Sequence, residues 1–194
     1  MKQNTLVIAH PDDECMFFTP LLSHIDHIIC LSNGDFDKLG RIREKEFMSS
    51  CKVLNKTCSI GTLQDGQDWS INDVLDSIKS LVLHNDVEVY TFDGYGVSGH
   101  KNHIAIYTAL LNSTYTVYAL VSVPLYRKYV GLFDLLLTII LSLFSTNPIY
   151  ISNFNQALLG YKSMLCHRSQ LVWFRYLYLL SSRYMWINEF IKIN

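Results

Sequence analysis

Short apolar runs alternate with helix-like segments along the first 115 residues of the chain. The runs at 6–9, 25–31 and 87–92 predict strands, and the spacing of apolar positions predicts helices at 17–24, 41–54, 72–83 and from 100 onward. The first strand ends at Pro11, which cannot donate a main-chain hydrogen bond. This alternation predicts an α/β fold in which a mostly parallel sheet carries helices on both faces. Ligands of such folds bind beyond the carboxyl ends of the strands.

The pattern changes beyond residue 115. A strand-like stretch at 116–123 precedes an apolar run at 130–144, VGLFDLLLTIILSLF, and two helices rich in Leu, Tyr and Trp follow from 155. The run has 15 residues and contains Asp134, so it is too short to span a bilayer. It fits either a core helix or an interfacial segment that rests on lipid, and we favour membrane contact. We find no repeat and no domain boundary, and therefore predict one domain over residues 1–194.

Composition limits the classes of protein to consider. The 194 residues are 49% hydrophobic and 13% aromatic, which is typical of a chain with a sizeable core and excludes a disordered one. A net charge of −1 argues against nucleic acid as a partner. Residues 1–97 carry a net charge of −7, whereas the rest carry +6 and 17 of the 25 aromatic residues. The second half therefore suits an anionic membrane surface, unless its basic residues only solvate a helix face.

The cysteines and the N-terminus bear on the compartment. The five cysteines are scattered without a CxxC pair, which argues against a disulfide framework or a thiolate zinc site and favours a reducing compartment. The N-terminal residues contain no apolar region long enough for a signal peptide. The stretches beginning at Asn55 and Asn112 match the N-glycosylation pattern, which matters only in the secretory lumen.

Chemically active side chains follow two of the predicted strands. The first group is HPDDE at 10–14, and the second is GHKNH at 99–103, where His100 and His103 share a helix face. Two histidines and one aspartate around an ion leave a coordination position open, as catalytic zinc sites do. A neighbouring carboxylate can then act as general base for an activated water. Taken singly, the first group could be a helix cap and the histidine pair a surface coincidence.

These residues resemble a known family. AHPDDE at 9–14, LSNG at 31–34, GVSGH at 96–100, NH at 102–103, CHRSQ at 166–170, WFR at 173–175 and SRYM at 182–185 are similar to the PIG-L type of de-N-acetylase, within the wider LmbE-like group. The resemblance covers nearly the whole chain. It implies a Rossmann-like fold and zinc-dependent removal of the N-acetyl group from N-acetylglucosaminyl-phosphatidylinositol (GlcNAc-PI). That reaction is the second step of glycosylphosphatidylinositol (GPI) anchor biosynthesis.

The resemblance also implies roles for individual residues. His10, Asp13 and His103 would hold Zn²⁺, although such a donor set also accepts Fe²⁺. Asp12 would be the general base, and His100 would stabilise the oxyanion or protonate the leaving amine.

Four further residues are predicted to contact substrate: Asn33, Arg43, His167 and Arg168. Arg43 could bind sugar hydroxyls or phosphate through its guanidinium fork, or instead pair with Glu46 on the same helix. His167 and Arg168 have the same choice between substrate contact and helix packing.

The predicted location is the cytoplasmic face of the endoplasmic reticulum membrane. Attachment would be peripheral or interfacial, because the chain contains no clear transmembrane helix, whereas the animal enzymes of this type begin with a membrane-spanning segment. The predicted partners are a glycolipid substrate and the membrane surface. Two alternatives stay open: a deacetylase of a soluble N-acetylglucosamine conjugate, and a catalytically silent subunit that binds sugar or lipid. The sequence predicts no oligomeric state.

Overall fold

A seven-stranded sheet organises residues 2–84 and 86–194, the part of the chain that the computed structural model describes. Its order is β3-β2-β1-β4-β5-β7-β6. The first five strands in that order run parallel, β7 pairs antiparallel with β5, and β6 pairs antiparallel with β7. The strands are β1 (Gln3–Ile8), β2 (His27–Ser32), β3 (Thr57–Leu63), β4 (Val87–Phe92), β5 (Thr116–Leu120), β6 (Ile149–Ile151) and β7 (Ile187–Lys192).

Helices cover both faces of the sheet. They are α1 (Asp13–Phe17), α2 (Gly40–Leu54), α3 (Ile71–Leu81), α4 (Gly96–Gly99), α5 (Lys101–Leu110), α6 (Leu125–Lys128), α7 (Asp134–Ser142), α8 (Phe154–Met164) and α9 (Trp173–Ser181). Single 3₁₀ turns lie at Leu22–His24, Asp35–Asp37, Gly131–Phe133, Arg168–Gln170 and Arg183–Met185.

The central strand β1 is buried on both faces. Leu6 and Ile8 pack into a core shared with α1, α2, α8 and α9, whereas Val7 and Ala9 pack into a second core shared with α3 and α5. Because successive side chains of a strand point to opposite faces, an unbroken apolar run marks a strand covered on both sides. The predicted α/β fold, with a mostly parallel sheet and helices on both faces, is confirmed.

Several elements differ from the sequence prediction. The helix expected at 17–24 begins instead at Asp13 and ends at Phe17, since Pro20 disfavours helical geometry in the residue before it. A disulfide joins Cys51 to Cys58, which corrects the expectation from the scattered cysteines. Strands β3, β6 and β7 were not predicted from the sequence.

The apolar run at 130–144 lies on the surface as α7 and its flanking turns. It is therefore not a core helix. Within the described residues, no helix is both long and apolar enough to cross a bilayer.

Candidate active site

Strands β1 and β4 bring the two motifs together. They are parallel neighbours in the sheet, so their carboxyl ends lie side by side. The loop after β1 carries His10 and Asp12 into α1, and the loop after β4 leads through α4 into α5. Arg43 of α2 joins the first loop to the loop after β2, because it donates to the carbonyl of Pro11, at 2.7 Å, and to that of Gly34, at 3.1 Å.

Asp13 lies at the centre of the cluster. Its Oδ2 accepts the backbone N–H groups of Ala9, at 3.2 Å, and His10, at 2.8 Å. The same oxygen lies 3.2 Å from Nε2 of His103 and 3.6 Å from Nδ1 of His10. All three side chains are buried. One carboxylate oxygen is therefore fixed between two imidazoles that come from different strand ends.

His103 is held with one nitrogen directed at the cluster. Its Nδ1 lies 3.0 Å from the carbonyl oxygen of Gly96, and its ring stacks on Phe92 with centroids 3.8 Å apart. We assign the proton to Nδ1, because only a protonated nitrogen can donate to that carbonyl. Nε2 then presents a lone pair, and this buried atom has no hydrogen-bond partner among the described residues. A buried lone pair without a donor suits a metal ion.

His100 has the opposite tautomer. It is the N-cap of α5, where its Nδ1 accepts the backbone N–H of Asn102 at 3.3 Å. Its Nε2 therefore carries the proton in the neutral ring. The rings of His10, His100 and His103 each offer a nitrogen within 4.8 Å of the others. The donor set of imidazole nitrogen and carboxylate oxygen fits zinc or ferrous iron.

Charges at the site favour a cation. Burial disfavours the charged form of Asp13, but His103 and His10 outweigh it and hold its pKa well below the usual range. Burial also opposes protonation of His10, yet hydrogen bonds to Asp13 and Asp65 raise its pKa to about 9. The pKa of His100 is lowered by burial and by the two neighbouring histidines, which favours the neutral form of its ring.

Asp12 faces the same cluster from a strained backbone. Its φ is +108°, a conformation that non-glycine residues rarely adopt, and its N–H donates to Oε2 of Glu14 at 3.1 Å. Its Oδ2 is buried without a hydrogen-bond partner among the described residues and lies 3.5 Å from Nη2 of Arg175. Burial raises the pKa of Asp12, against the opposing effect of Arg175 and Arg43.

A cleft of about 470 Å³ opens onto these groups. One wall carries the two motifs together with Arg43 and Asp65, and the other comes from the second half of the chain. The second wall consists of Lys128, Tyr129, Gln170, Phe174, Arg175 and Tyr178.

Comparison with known proteins identifies the family. Residues 5–114 match the family described as "PIG-L: GlcNAc-PI de-N-acetylase". The N-acetylglucosaminyl-phosphatidylinositol de-N-acetylase of Bos taurus is 38% identical over 97% of this chain and 82% of its own length. A probable enzyme of the same name from Dictyostelium discoideum is 34% identical over 99% of this chain and 93% of its own length. The chain belongs to the PIG-L family.

The fold is shared more widely than the PIG-L family. The N,N'-diacetylchitobiose deacetylase of Pyrococcus horikoshii superposes with a TM-score of 0.69 at 15% identity, covering 98% of this chain and 83% of that one. At such low identity the likeness concerns the fold alone.

Not all the substrate contacts predicted for this PIG-L protein lie in the cleft. Arg43 lines it, although both its terminal nitrogens already donate to backbone carbonyls. Asn33 lines a separate depression beside α2, and Arg168 is exposed outside the cleft. His167 is fully buried, with Nε2 2.6 Å from Oε1 of Glu14. This geometry favours a role in helix packing for His167, which was the alternative to substrate contact.

Sequence reasoning missed several cleft residues of the PIG-L protein. Asp65 lies in the connection between β3 and α3, and Lys128 ends the short helix α6. Neither belongs to a recognisable motif, so no local pattern indicates them. Arg175 does lie in the quoted WFR stretch, and that resemblance was the available signal.

Proposed function

We propose that the protein hydrolyses the N-acetyl amide of GlcNAc-PI to give glucosaminyl-phosphatidylinositol and acetate, in GPI-anchor biosynthesis. One observation carries this proposal: the unpartnered Oδ2 of Asp12 shares a cleft with Asp13, His10 and His103 in a chain of the PIG-L family. Amide hydrolysis needs a base for water and a positive centre for the carbonyl oxygen, and both kinds of group converge here.

His10, Asp13 and His103 would hold the metal ion, with zinc as the proposed ion and iron as the alternative. When bound, such an ion lowers the pKa of a water and polarises a carbonyl. His100 is not proposed as a ligand, because the hydrogen bond to its Nδ1 leaves the proton on Nε2.

Asp12 would accept the proton of the attacking water. Its raised pKa makes it a better base than an exposed aspartate. Arg175 and Arg43, at 3.5 and 3.6 Å from its two oxygens, fix the orientation of the carboxylate. His100 would then donate a hydrogen bond from the Nε2–H of its neutral ring to the developing oxyanion. The proton that Asp12 takes from the water would pass to the leaving nitrogen as the C–N bond breaks.

Acetate release tests the activity. The zinc-loaded protein in mild detergent should release acetate from GlcNAc-PI, and D12N should not. Release only from N-acetylglucosaminyl-inositol without lipid would favour the soluble-conjugate alternative. If neither substrate yields acetate although zinc is bound, the protein would instead be a silent sugar- or lipid-binding subunit.

A membrane surface is the second part of the proposal, and helix α7 supports it. The buried side chains of α7 are the polar ones, Asp134 and Thr138, which bind Arg127 and Arg183. Its leucines and isoleucines face outward, with Leu136 70% exposed. This is the reverse of a helix that packs on a protein core in water. Such an arrangement suits lipid contact.

The outward side of α7 continues onto α9. The turn at Gly131 lies against the backbone of Ser181, at the end of α9. We call the exposed apolar side chains of these two helices and their flanking turns the apolar surface: Phe133, Leu136, Ile139, Ile140, Leu143, Phe144, Trp173, Phe174, Leu177 and Leu180. Phe174 also lines the cleft, so the apolar surface reaches the cleft mouth.

The charge of this part of the chain and the chemistry of the proposed substrate favour a lipid bilayer as the partner of the apolar surface. Residues 135–188 contain no Asp or Glu, so no carboxylate in that stretch opposes anionic lipid. A lipid substrate would enter the cleft directly from such a membrane.

The proposed pathway assigns this membrane to the endoplasmic reticulum, with the protein on its cytoplasmic face. The glycosylation patterns at Asn55 and Asn112 provide a test, because both asparagines are exposed. In cells both should stay unglycosylated, as judged by an unchanged gel mobility after glycosidase treatment. A mobility shift would indicate the luminal face instead.

A further inference from the structure

Lys128 is a buried cation on the second wall of the cleft. It is only 7% exposed, and its Nζ donates to the carbonyl oxygen of Val97 at 3.2 Å. Among the described residues, no carboxylate lies within 4.0 Å of Nζ. Asp93 borders the neighbouring depression, but both of its oxygens already accept hydrogen bonds from Ser122.

A cation in this position needs an anion. An ammonium group has three N–H donors, and the described residues provide an acceptor for one of those of Lys128. Burial lowers its pKa, which reflects the cost of holding the charge without a partner. A buried charge that lines a binding cleft is stabilised when a ligand of opposite charge arrives.

The turn that holds Lys128 also holds the candidate metal site. The carbonyl of Gly96 binds His103, and the carbonyl of the next residue, Val97, binds Lys128. Val97 has a φ of +63°, which is strained for a β-branched residue, and its N–H donates to Ser122. A fixed turn therefore sets the position of the ammonium relative to the imidazole.

The two arginines that line the cleft each lie beside a carboxylate of the protein. Arg43 donates to two backbone carbonyls, and Arg175 lies beside Asp12. Among the described residues, Lys128 thus differs from both arginines of the cleft in having no carboxylate within 4.0 Å. Its neighbour Tyr129, with its ring centroid 5.8 Å from Nζ, is exposed and leads directly to the turn before α7.

Lys128 lies at a point of the chain that joins the cleft to the apolar surface. It lines the same cleft as the metal cluster, and the chain continues from it through Tyr129 into the turn at Gly131–Phe133 and helix α7, which carry part of the apolar surface. In GlcNAc-PI, the phosphodiester stands between the acetamido sugar with its inositol and the acyl chains. We propose that Lys128 binds the phosphodiester of GlcNAc-PI, an inference that rests on the proposed function and specifies how its substrate is recognised.

The proposed contact between Lys128 and the phosphodiester can be tested with two substrates, GlcNAc-PI and N-acetylglucosaminyl-inositol, which lacks the phosphate. The readout is the ratio of their kcat/KM values for the wild-type protein, K128M, K128R and K79M. Lys79 is an exposed lysine of α3 outside the cleft and serves as the matched control. K128M should lower the ratio about 10- to 100-fold, mainly through KM for GlcNAc-PI, since a hydrogen-bonded charge pair is lost. K128R should retain most of the ratio, and K79M all of it.

A melting experiment separates binding from folding. K128M should melt no lower than the wild type, because a buried and unpaired charge is removed. A lower melting temperature with an unchanged ratio would make Lys128 a structural residue and overturn the inference. An unchanged ratio in a well-folded K128M would also overturn it, while acetate release by the wild type would leave the proposed function intact. If the wild type releases no acetate from GlcNAc-PI, it is the proposed function that fails.

Discussion

Glu14 and His167 form a fully buried contact beneath the cleft, with 2.6 Å between Oε1 and Nε2. Ser50 donates to the same carboxylate at 2.6 Å, and the other oxygen of Glu14 accepts the N–H of Asp12. Burial opposes ionisation of both partners, but each stabilises the charge of the other, so the pKa of Glu14 is lowered and that of His167 is raised. This pair thus supports the backbone of the proposed base.

Replacing His167 should therefore damage stability. H167A leaves the Glu14 carboxylate buried without its cationic partner, and we expect the free energy of unfolding to fall by about 3–5 kcal/mol. Urea unfolding measures it. The double variant E14Q/H167Q should recover part of the loss, because no buried charge remains. A normal unfolding midpoint for H167A, combined with a raised KM, would instead support substrate contact by His167.

His103 of α5 and His100, its N-cap, should behave differently when replaced. D13A and H103A should both lose bound zinc after dialysis, because Asp13 Oδ2 and His103 Nε2 lie together at the cluster. H100A should retain zinc and lose about 10²- to 10³-fold in kcat, as expected for loss of an oxyanion donor. Metal analysis and acetate release give the two readouts. Loss of zinc from H100A would add that residue to the ligands.

Asp12 should control the acid side of the pH profile. D12N should keep its zinc but lose about 10²- to 10⁴-fold in kcat. In the wild type, kcat/KM should rise with pH as Asp12 deprotonates. The midpoint of this rise should lie above the ordinary aspartate value of 3.8, because burial raises the pKa. An activity that stays constant down to pH 4 would rule out Asp12 as the base.

The apolar surface should bind vesicles. L136E/I140E places two charges on its outward side, and we expect at least a tenfold loss of binding to phosphatidylcholine vesicles that contain phosphatidylserine. Sedimentation with vesicles measures this. I42E provides the control, since Ile42 is a half-exposed apolar residue of α2 outside the apolar surface. If L136E/I140E binds vesicles normally but changes from dimer to monomer, the apolar surface is a subunit interface.

Asp134 should make stability sensitive to acid. Burial disfavours its charge, but Arg127 and Arg183 outweigh burial and lower its pKa. The stabilisation is therefore present above the unfolded-state value of about 3.8 and is lost as the pH falls towards the lowered folded-state value. The free energy of unfolding should drop less between pH 5 and pH 3 in D134N than in the wild type. D76N, which alters an exposed carboxylate, should follow the wild type.

The sequence predicts best what depends on neighbouring residues. An apolar run that ends in AHPDDE locates both β1 and the Asp13 loop, because strand and site are adjacent in the chain. Strand β7 pairs between β5 and β6 through long-range contacts, and no local alternation distinguishes it. The position of Lys128 in the cleft likewise depends on a hydrogen bond to Val97, which lies 31 residues away in the chain. The orientation of α7 could not be predicted from the sequence either. Most of its positions are apolar, so only the packed structure shows which side faces away from the protein.

Asp12 and Val97 both have positive φ values. Asp12 lines the cleft, and Val97 lies in the turn beside it. Such conformations cost of the order of 1–3 kcal/mol each, and glycine would adopt them freely. Selection for a robust fold alone would therefore favour glycine at position 12. We expect a protein with that change to be more stable to unfolding but inactive. The strained backbone at Asp12 thus lowers stability at the residue that is proposed to take the proton.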